Sequence, residues 1–301
     1  MTILLEKEKV GLALQEGVSM AYADLILKNN IRQILFSGKA ASDKGQDVRP
    51  KWPDGTPAYT KYVTAVSNEY DLSQGEFPLT TLRPIAWKTA LGELLWIYQD
   101  QSNDVNLLKE KYNVNYWDSW MNKEGSLGTA YGYQIAKKIK YPEGTFNQID
   151  RVLYLLKNDP MNRRIMTNMI DMEEMVDMTL VPCAFMTMWS VRGTYLDMTL
   201  IQRSNDVIAA QSINAFQYAA LLMMVAASTG YQPGTFTHFI QNMHIYDRHL
   251  DIAETMLSRE PRDGGRIELA KKNNFYDFKV SDFSLPGYDP HPQIKGIEIA
   301  I

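Results

Sequence analysis

The chain has 301 residues, with 31 basic and 35 acidic side chains, a formal charge of −4 and one cysteine. That length supports one large domain or two ordinary ones with a well-filled core. A lone cysteine excludes an intrachain disulfide and there is no CxxC or Cys/His spacing to suggest structural zinc; the acidic balance argues against a general nucleic-acid binder, which needs a cationic field to displace counterions.

The opening "MTILLEKEKVGLALQEGVSMAYADLILKNN" carries acids and lysines where a secretory signal has its apolar centre. No stretch approaches the roughly eighteen uninterrupted apolar residues of a membrane span, so a soluble, cytoplasmic protein is expected. No repeat, low-complexity segment or Pro/Gly/Ser-rich linker divides the chain, and residues 1–301 read as one domain. From Gly11 to Asn30 the apolar spacing predicts an amphipathic helix. The polar "SGKAASDKGQDVRPKWPDGTPAYT" that follows reads as a long loop, a class of segment that is usually functional or disordered.

After Pro84, "IAWKTALGELLWIYQDQS" has the length and apolar face of a buried helix, with Gly92 its one weak position. Glu93 on that helix is either solvated on an outer face or held in a site where burial raises its pKa for proton transfer. Alternation in "AFMTMWSVRGTYLDMTLIQRS" predicts two strands joined at Arg192-Gly193, with Cys183 just ahead of the first. Beyond them, "INAFQYAALLMMVAASTG" is a long apolar helix capped by Gly230, and "FTHFIQNMHIY" reads as a further strand. The pattern is a mixed α/β architecture with a substantial sheet.

Taken alone, Cys183 is either a small core residue or a nucleophile. A reactive thiol needs cationic neighbours, and the following strand supplies Arg203 and Ser204 in "QRSND"; if the two strands pair across Arg192-Gly193, Arg203 comes near Cys183, a register that sequence alone leaves open. Arg163 and Arg164 in "MNRRI" are either a solvated face or a phosphate clamp, because the guanidinium fork donates parallel hydrogen bonds to phosphate oxygens. His244 and Tyr246, two apart on a strand, project to one face, where they serve either packing or a sugar hydroxyl.

Together these pieces acquire a common meaning. "ELLWIYQDQSND", "YWDSW", "LGTAYGYQ", "NRRI", "PC", "QRSND", Asn214 at the expected distance, "HIY" and the terminal "YDPHPQIKGIEIAI" stand in the order and roughly the spacing of the thymidylate synthases. The chain resembles that family from about Gly38 to its last residue. The resemblance implies a single α/β (α+β) domain, with a large, mixed, twisted sheet flanked by helices and one sheet face packed against a partner subunit. It implies reductive methylation of dUMP to dTMP, with 5,10-methylenetetrahydrofolate as one-carbon and hydride donor and no metal, flavin or nicotinamide. Membrane and nucleic acid have no part in that catalysis.

Residue by residue, the resemblance makes Cys183 the nucleophile that adds to uracil C6, which turns C5 into an enolate-type nucleophile. Glu93 matches the carboxylate that organises proton transfers, and Tyr131 a tyrosine near the reacting pyrimidine. Asn214 matches the amide that reads uracil N3–H and O4, and Arg203 with Ser204 the phosphate contacts, Arg203 also favouring the thiolate. Arg163 and Arg164 match the pair sent across a homodimer interface into the partner's phosphate site. His244 and Tyr246 match contacts to the deoxyribose 3′-hydroxyl. Asp206 matches the carboxylate that holds the pterin and is grouped with the dUMP residues as well. Trp117, Trp120 and the terminal Ile301 fall on the folate side. Arg49, with Lys51 as its competitor, is the remaining phosphate ligand.

The chain departs from the family's usual pattern in three places. Ala184 stands where many members have His, Asn242 where Asp is common, and "AQSIN" (210–214) where Gly-Leu-Pro-Phe-Asn is usual. A Cβ at Ala210 is expected to shift or narrow the folate slot. Two endings therefore stay open: reduction to dTMP, or, in a dUMP hydroxymethylase, capture of the exocyclic methylene by water with release of tetrahydrofolate. A catalytically dead relative that binds nucleotide or RNA is a third reading, against which the joint presence of Cys183, Glu93, Arg203 and Asn214 argues.

Overall fold

Alternation in "YLDMTLIQ" sends Leu196, Met198, Leu200 and Gln202 to one buried face, and this strand lies near the middle of a seven-stranded sheet. The structure is a computed structural model that describes residues 21–40 and 48–301. The expected helical residues 11–20 and loop residues 41–47 lie outside the described residues. In chain order the first half holds α1 (Tyr22–Ser37), β1 (Lys39–Ala40), β2 (Thr60–Asp71), α2 (Trp87–Tyr98), α3 (Val105–Tyr112), α4 (Gly132–Ala136), β3 (Ile139–Tyr141), β4 (Gly144–Phe146) and α5 (Gln148–Asn158). The second half holds β5 (Met166–Asn168), β6 (Ala184–Arg192), β7 (Tyr195–Gln202), β8 (Asn205–Asp206), α6 (Gln211–Thr229), β9 (Gln232–Tyr246), α7 (Leu250–Ser258), β10 (Glu268–Leu269) and β11 (Phe283–Ser284).

The sheet order is β1-β2-β9-β7-β6-β5, with β8 added beside β9. β9 runs antiparallel to β2 but parallel to β7 and β8, so the sheet is mixed. Helix α6 makes the crossover from β8 to β9 that a parallel pair needs. It is buried on nearly every side, from Ala215 and Phe216 through Met224 and Val225, because it lies between the sheet and α2. Gly230 ends it in the left-handed conformation at φ 84°, as its cap position requires. The predicted hairpin is present, with β6 and β7 paired from Ala184↔Gln202 to Arg192↔Tyr195.

Irregularities interrupt the ladders at Ala65 of β2, between Leu196 and Met198 of β7, and between Ala184 and Met186 of β6. Such bulges bend a sheet and re-aim the side chains beside them. The last of them sits next to Cys183.

One expectation needs correction. Helix α1 does not stop at Asn30 but runs to Ser37, since Leu27, Ile31 and Ile34 continue one buried stripe. Buried Asp24 anchors it, accepting hydrogen bonds from Thr80 Oγ1 at 2.6 Å, Thr81 N at 2.7 Å and the Thr81 hydroxyl. The weak position at Gly92 has a packing reason: a Cβ there would lie 2.9 Å from the Tyr112 Cβ, so glycine lets α3 approach α2. Among the described residues no helix is long and apolar enough to cross a membrane.

Candidate active site

Cys183 is partly buried in the turn that enters β6. The hairpin register sets Arg203 opposite it: Arg203 N donates to the Cys183 carbonyl at 2.9 Å, and its guanidinium lies 3.7 Å from Sγ. The same guanidinium donates to the carbonyls of Val181 at 2.7 Å and Pro182 at 3.1 Å, so it holds the cysteine turn as well as facing the sulfur. Burial nevertheless pushes the Cys183 thiol above its usual pKa, and Arg203 opposes this without reversing it. The expectation that Arg203 favours the thiolate holds for its own contribution; desolvation is larger. Tyr131, at φ 54° ahead of α4, is buried near both Cys183 and Glu93. Its phenol is held far above the ordinary value by burial first and by those two groups second.

Glu93 is buried, which settles its two readings against the solvated face. Its carboxyl accepts from Trp117 Nε1 at 2.6 Å, Gln217 Nε2 at 2.8 Å and the Tyr116 hydroxyl. Burial raises its pKa, and these three donors work in the other direction. Gln217 Oε1 accepts from Asn214 Nδ2 at 3.2 Å. Asn214 Oδ1 accepts from Gln202 Nε2 at 3.0 Å and Asn205 Nδ2 at 3.4 Å, and Gln202 Oε1 meets His238 Nε2 at 2.7 Å. Burial takes His238 down to about 3, so its ring is neutral and donates through Nε2.

At the end of β9, His244 and Tyr246 lie 5.0 Å apart, edge to face, with His244 Nδ1 against Asn242 Oδ1 at 2.9 Å. Burial lowers the His244 pKa, and Asp206 opposes that. Tyr246 is pushed up to about 12, by burial first and then by Asp206 and Cys183, which draws this strand end into the same site. Asp206 Oδ1 accepts from the backbone N–H groups of Ile208 at 2.9 Å and Ala209 at 3.1 Å, while Oδ2 stands 3.8 Å from His249. Half-buried Ser204 joins Arg203 to this segment, and its carbonyl accepts from Gln202 at 2.9 Å. Trp117 meets Tyr131 at 5.0 Å and Trp120 at 5.6 Å between ring centroids, which makes one aromatic wall beside Glu93. Ala210 caps α6 at φ −115°, a conformation any residue adopts, so the backbone there places no demand for glycine.

Arg163 and Arg164 are exposed in the turn before β5, and neither makes a hydrogen bond or ion pair through its guanidinium among the described residues. Arg49 is exposed, and the competing Lys51 exchanges backbone hydrogen bonds with Ile301 at 2.7 and 2.9 Å, which docks the last residue on this loop. Sequence reading missed Gln202, Gln217, Tyr116, His238 and Arg83. The buried Arg83 guanidinium donates to the carbonyls of Ile208 at 2.7 Å and Ala209 at 3.1 Å, behind Asp206. Gln217 carried a readable signal, an amide one helical turn from Asn214 within the otherwise apolar run Ala215–Ala227. Among the described residues no group of His, Cys, Asp and Glu is arranged to hold a metal ion.

A thiol beside a guanidinium, a buried protonatable carboxyl and an oriented amide suit an enzyme that adds a nucleophile to a planar ring and moves protons around it. The family model described as thymidylate synthase matches residues 26–301. A thymidylate synthase of Streptococcus gordonii is 46% identical over 286 residues, covering 92% of this chain and 98% of its own; that of Streptococcus sanguinis is 45% identical with the same coverage. The solved thermostable thymidylate synthase A from Bacillus subtilis superposes with a TM-score of 0.87 at 36% identity, covering 93% of this chain and 99% of that one. The chain belongs to the thymidylate synthase family. Its likenesses support a methyltransferase and give the hydroxymethylase alternative no support.

Proposed function

We propose that this chain, as one catalytic domain over residues 1–301, converts dUMP to dTMP with 5,10-methylenetetrahydrofolate, releasing dihydrofolate. The observation that carries this reading is the 3.7 Å approach of the Arg203 guanidinium to the only thiol in the chain. Cys183 adds to uracil C6 as the thiolate. Arg203 lies against Sγ, where its charge favours the thiolate, and its exposed guanidinium, with Ser204 and Arg49, binds the nucleotide phosphate. Asn214 binds the uracil edge, and His244 with Tyr246 binds the sugar hydroxyl. Glu93 and Tyr131 hold and pass protons near C5 and O4. The raised pKa of Glu93 suits a group that alternates between acid and base.

The folate cosubstrate supplies the one-carbon unit and the hydride. Residues suited to a planar pterin are present: the Trp117 and Trp120 rings, and Asp206 Oδ2, which among the described residues accepts no backbone hydrogen bond while Oδ1 accepts two. Ile301, docked against Lys51, is assigned to the same side. The active form is a homodimer in which Arg163 and Arg164 reach the partner's phosphate site. Support comes from the outer sheet face, where Met166 and Met188 are 39% and 37% exposed beside half-buried Ile201 and Phe239, and from the two exposed arginines, whose guanidiniums make no hydrogen bond or ion pair among the described residues. An apolar sheet face of this kind suits an isologous partner. The proposed setting is cytoplasmic.

Incubation with dUMP and methylenetetrahydrofolate is expected to yield dTMP and dihydrofolate in equal amounts, and 5-fluoro-dUMP with the folate is expected to leave an adduct on Cys183 that survives denaturation. Cys183→Ser should abolish both the adduct and release of the C5 proton. Tetrahydrofolate and a hydroxymethylated nucleotide as products would sink the assignment.

A further inference from the structure

Four side chains from three elements form one hydrogen-bonded line through the interior: Gln202 of β7, Asn214 and Gln217 of α6, and Glu93 of α2. We infer that Gln217 is a positioning residue, which sets the direction in which the Asn214 amide faces and ties that direction to the Glu93 carboxyl. The inference rests on the proposed reading of Asn214 as the uracil-binding amide.

The argument is one of donor and acceptor counting. Gln217 is buried, and its Nε2 lies 3.0 Å from the Ala90 carbonyl and 2.8 Å from Glu93 Oε1. A backbone carbonyl only accepts, so the Gln217 nitrogen must face α2 and its oxygen must face Asn214. Asn214 then has to present Nδ2 to that oxygen, at 3.2 Å, and Oδ1 to the far side. The other anchor agrees. Gln202 Nε2 donates both to the Ser204 carbonyl at 2.9 Å and to Asn214 Oδ1 at 3.0 Å.

Direction matters because an amide is ambiguous as a reader of pyrimidines. Uracil offers a donor at N3 and an acceptor at O4; cytosine offers an acceptor at N3 and a donor at its amino group. An asparagine turned by half a revolution about its last bond fits cytosine as well as the original fits uracil. Discrimination therefore requires that the turn be blocked, because a site with oriented polar groups rejects a ligand that leaves them unpaired. Gln217 blocks it from the side of Glu93, so the group that recognises the base and the group that moves the proton share one intermediary. Glu93 is faced by the titratable Tyr116, Tyr131 and Tyr218, and Gln217 is its only amide donor among the described residues.

The test uses the full chain with Gln217→Met, which keeps the shape and removes the amide, and Gln217→Glu, which keeps an acceptor for Asn214. The readouts are the ratio of dCMP to dUMP dissociation constants and the pH profile of C5 proton release. Gln217→Met is expected to lower the ratio about tenfold, the worth of one neutral hydrogen bond. It is also expected to move the limb that reports Glu93 to higher pH, because a donor to its carboxylate is lost. Gln217→Glu is expected to restore the ratio and to move the limb further, because it sets a second carboxyl beside the first. An unchanged ratio and limb in folded Gln217→Met, or equal weakening of both nucleotides, would overturn the inference. If that variant fails to fold, Gln217→Glu decides alone, and a lost ratio or an unmoved limb counts against it. Asn214→Asp is the control: if it leaves the ratio unchanged, the reading of Asn214 fails, not the role of Gln217.

Discussion

Glu93 shows how one residue carries two demands. Held in an apolar helix, its carboxyl is destabilised as an anion by burial and supported by three hydrogen-bond donors, and burial is the larger effect. A carboxyl whose pKa is raised by folding contributes stability that is complete below the usual carboxylate value and lost as pH rises through the raised value. Glu93→Gln removes the ionisation, so between about pH 4.5 and about pH 7.5 the variant should lose less stability than the parent. Urea unfolding at the two pH values measures this, and parallel changes in both proteins would refute it. The roles of Cys183, Arg203 and Asn214 were proposed from motif order. That Glu93 is buried needed the helix packing, since the pattern also allowed an outer face.

At the scale of elements, periodicity was a good guide where a segment follows one simple rule. The hairpin of β6 and β7, the apolar α6 with its Gly230 cap, and α2 all lie where alternation or helical spacing puts them. Reading failed at the end of α1, which was expected to run only to Asn30, whereas Asn30 is buried in the stripe that runs on to Ile34. It was silent about why α2 contains a glycine. Gly92→Ala puts a methyl group against Tyr112 and should destabilise the protein by about 1–3 kcal/mol despite its better helix propensity. A rise in Tm would show that the two helices part easily.

At the scale of the whole molecule, the sheet leaves Met166, Met188, Arg163 and Arg164 on its outside, and the proposed homodimer uses all four. Mixed dimers test this. Cys183→Ser lacks the nucleophile, and Arg163→Ala/Arg164→Ala lacks the arginines lent to the partner. A hybrid of the two has one whole site, so random reassociation of equal amounts should recover about a quarter of the parental activity. Recovery no greater than that of the separate variants would place the arginines in their own subunit's site, or outside any site.

The sequence by itself determined the mixed α/β class, the existence of the β6–β7 hairpin, and the family, since each depends on local period or on motif order; the register that sets Arg203 opposite Cys183 came from the structure. Only the tertiary structure decided that burial outweighs Arg203 in setting the state of the thiol, and that the amides of Gln202, Asn214 and Gln217 point in one agreed direction. The physical reason is range. Alternation is written within a few residues, but the hydrogen bond from Gln217 to Glu93 joins positions 124 apart, and desolvation is a property of everything packed around a group.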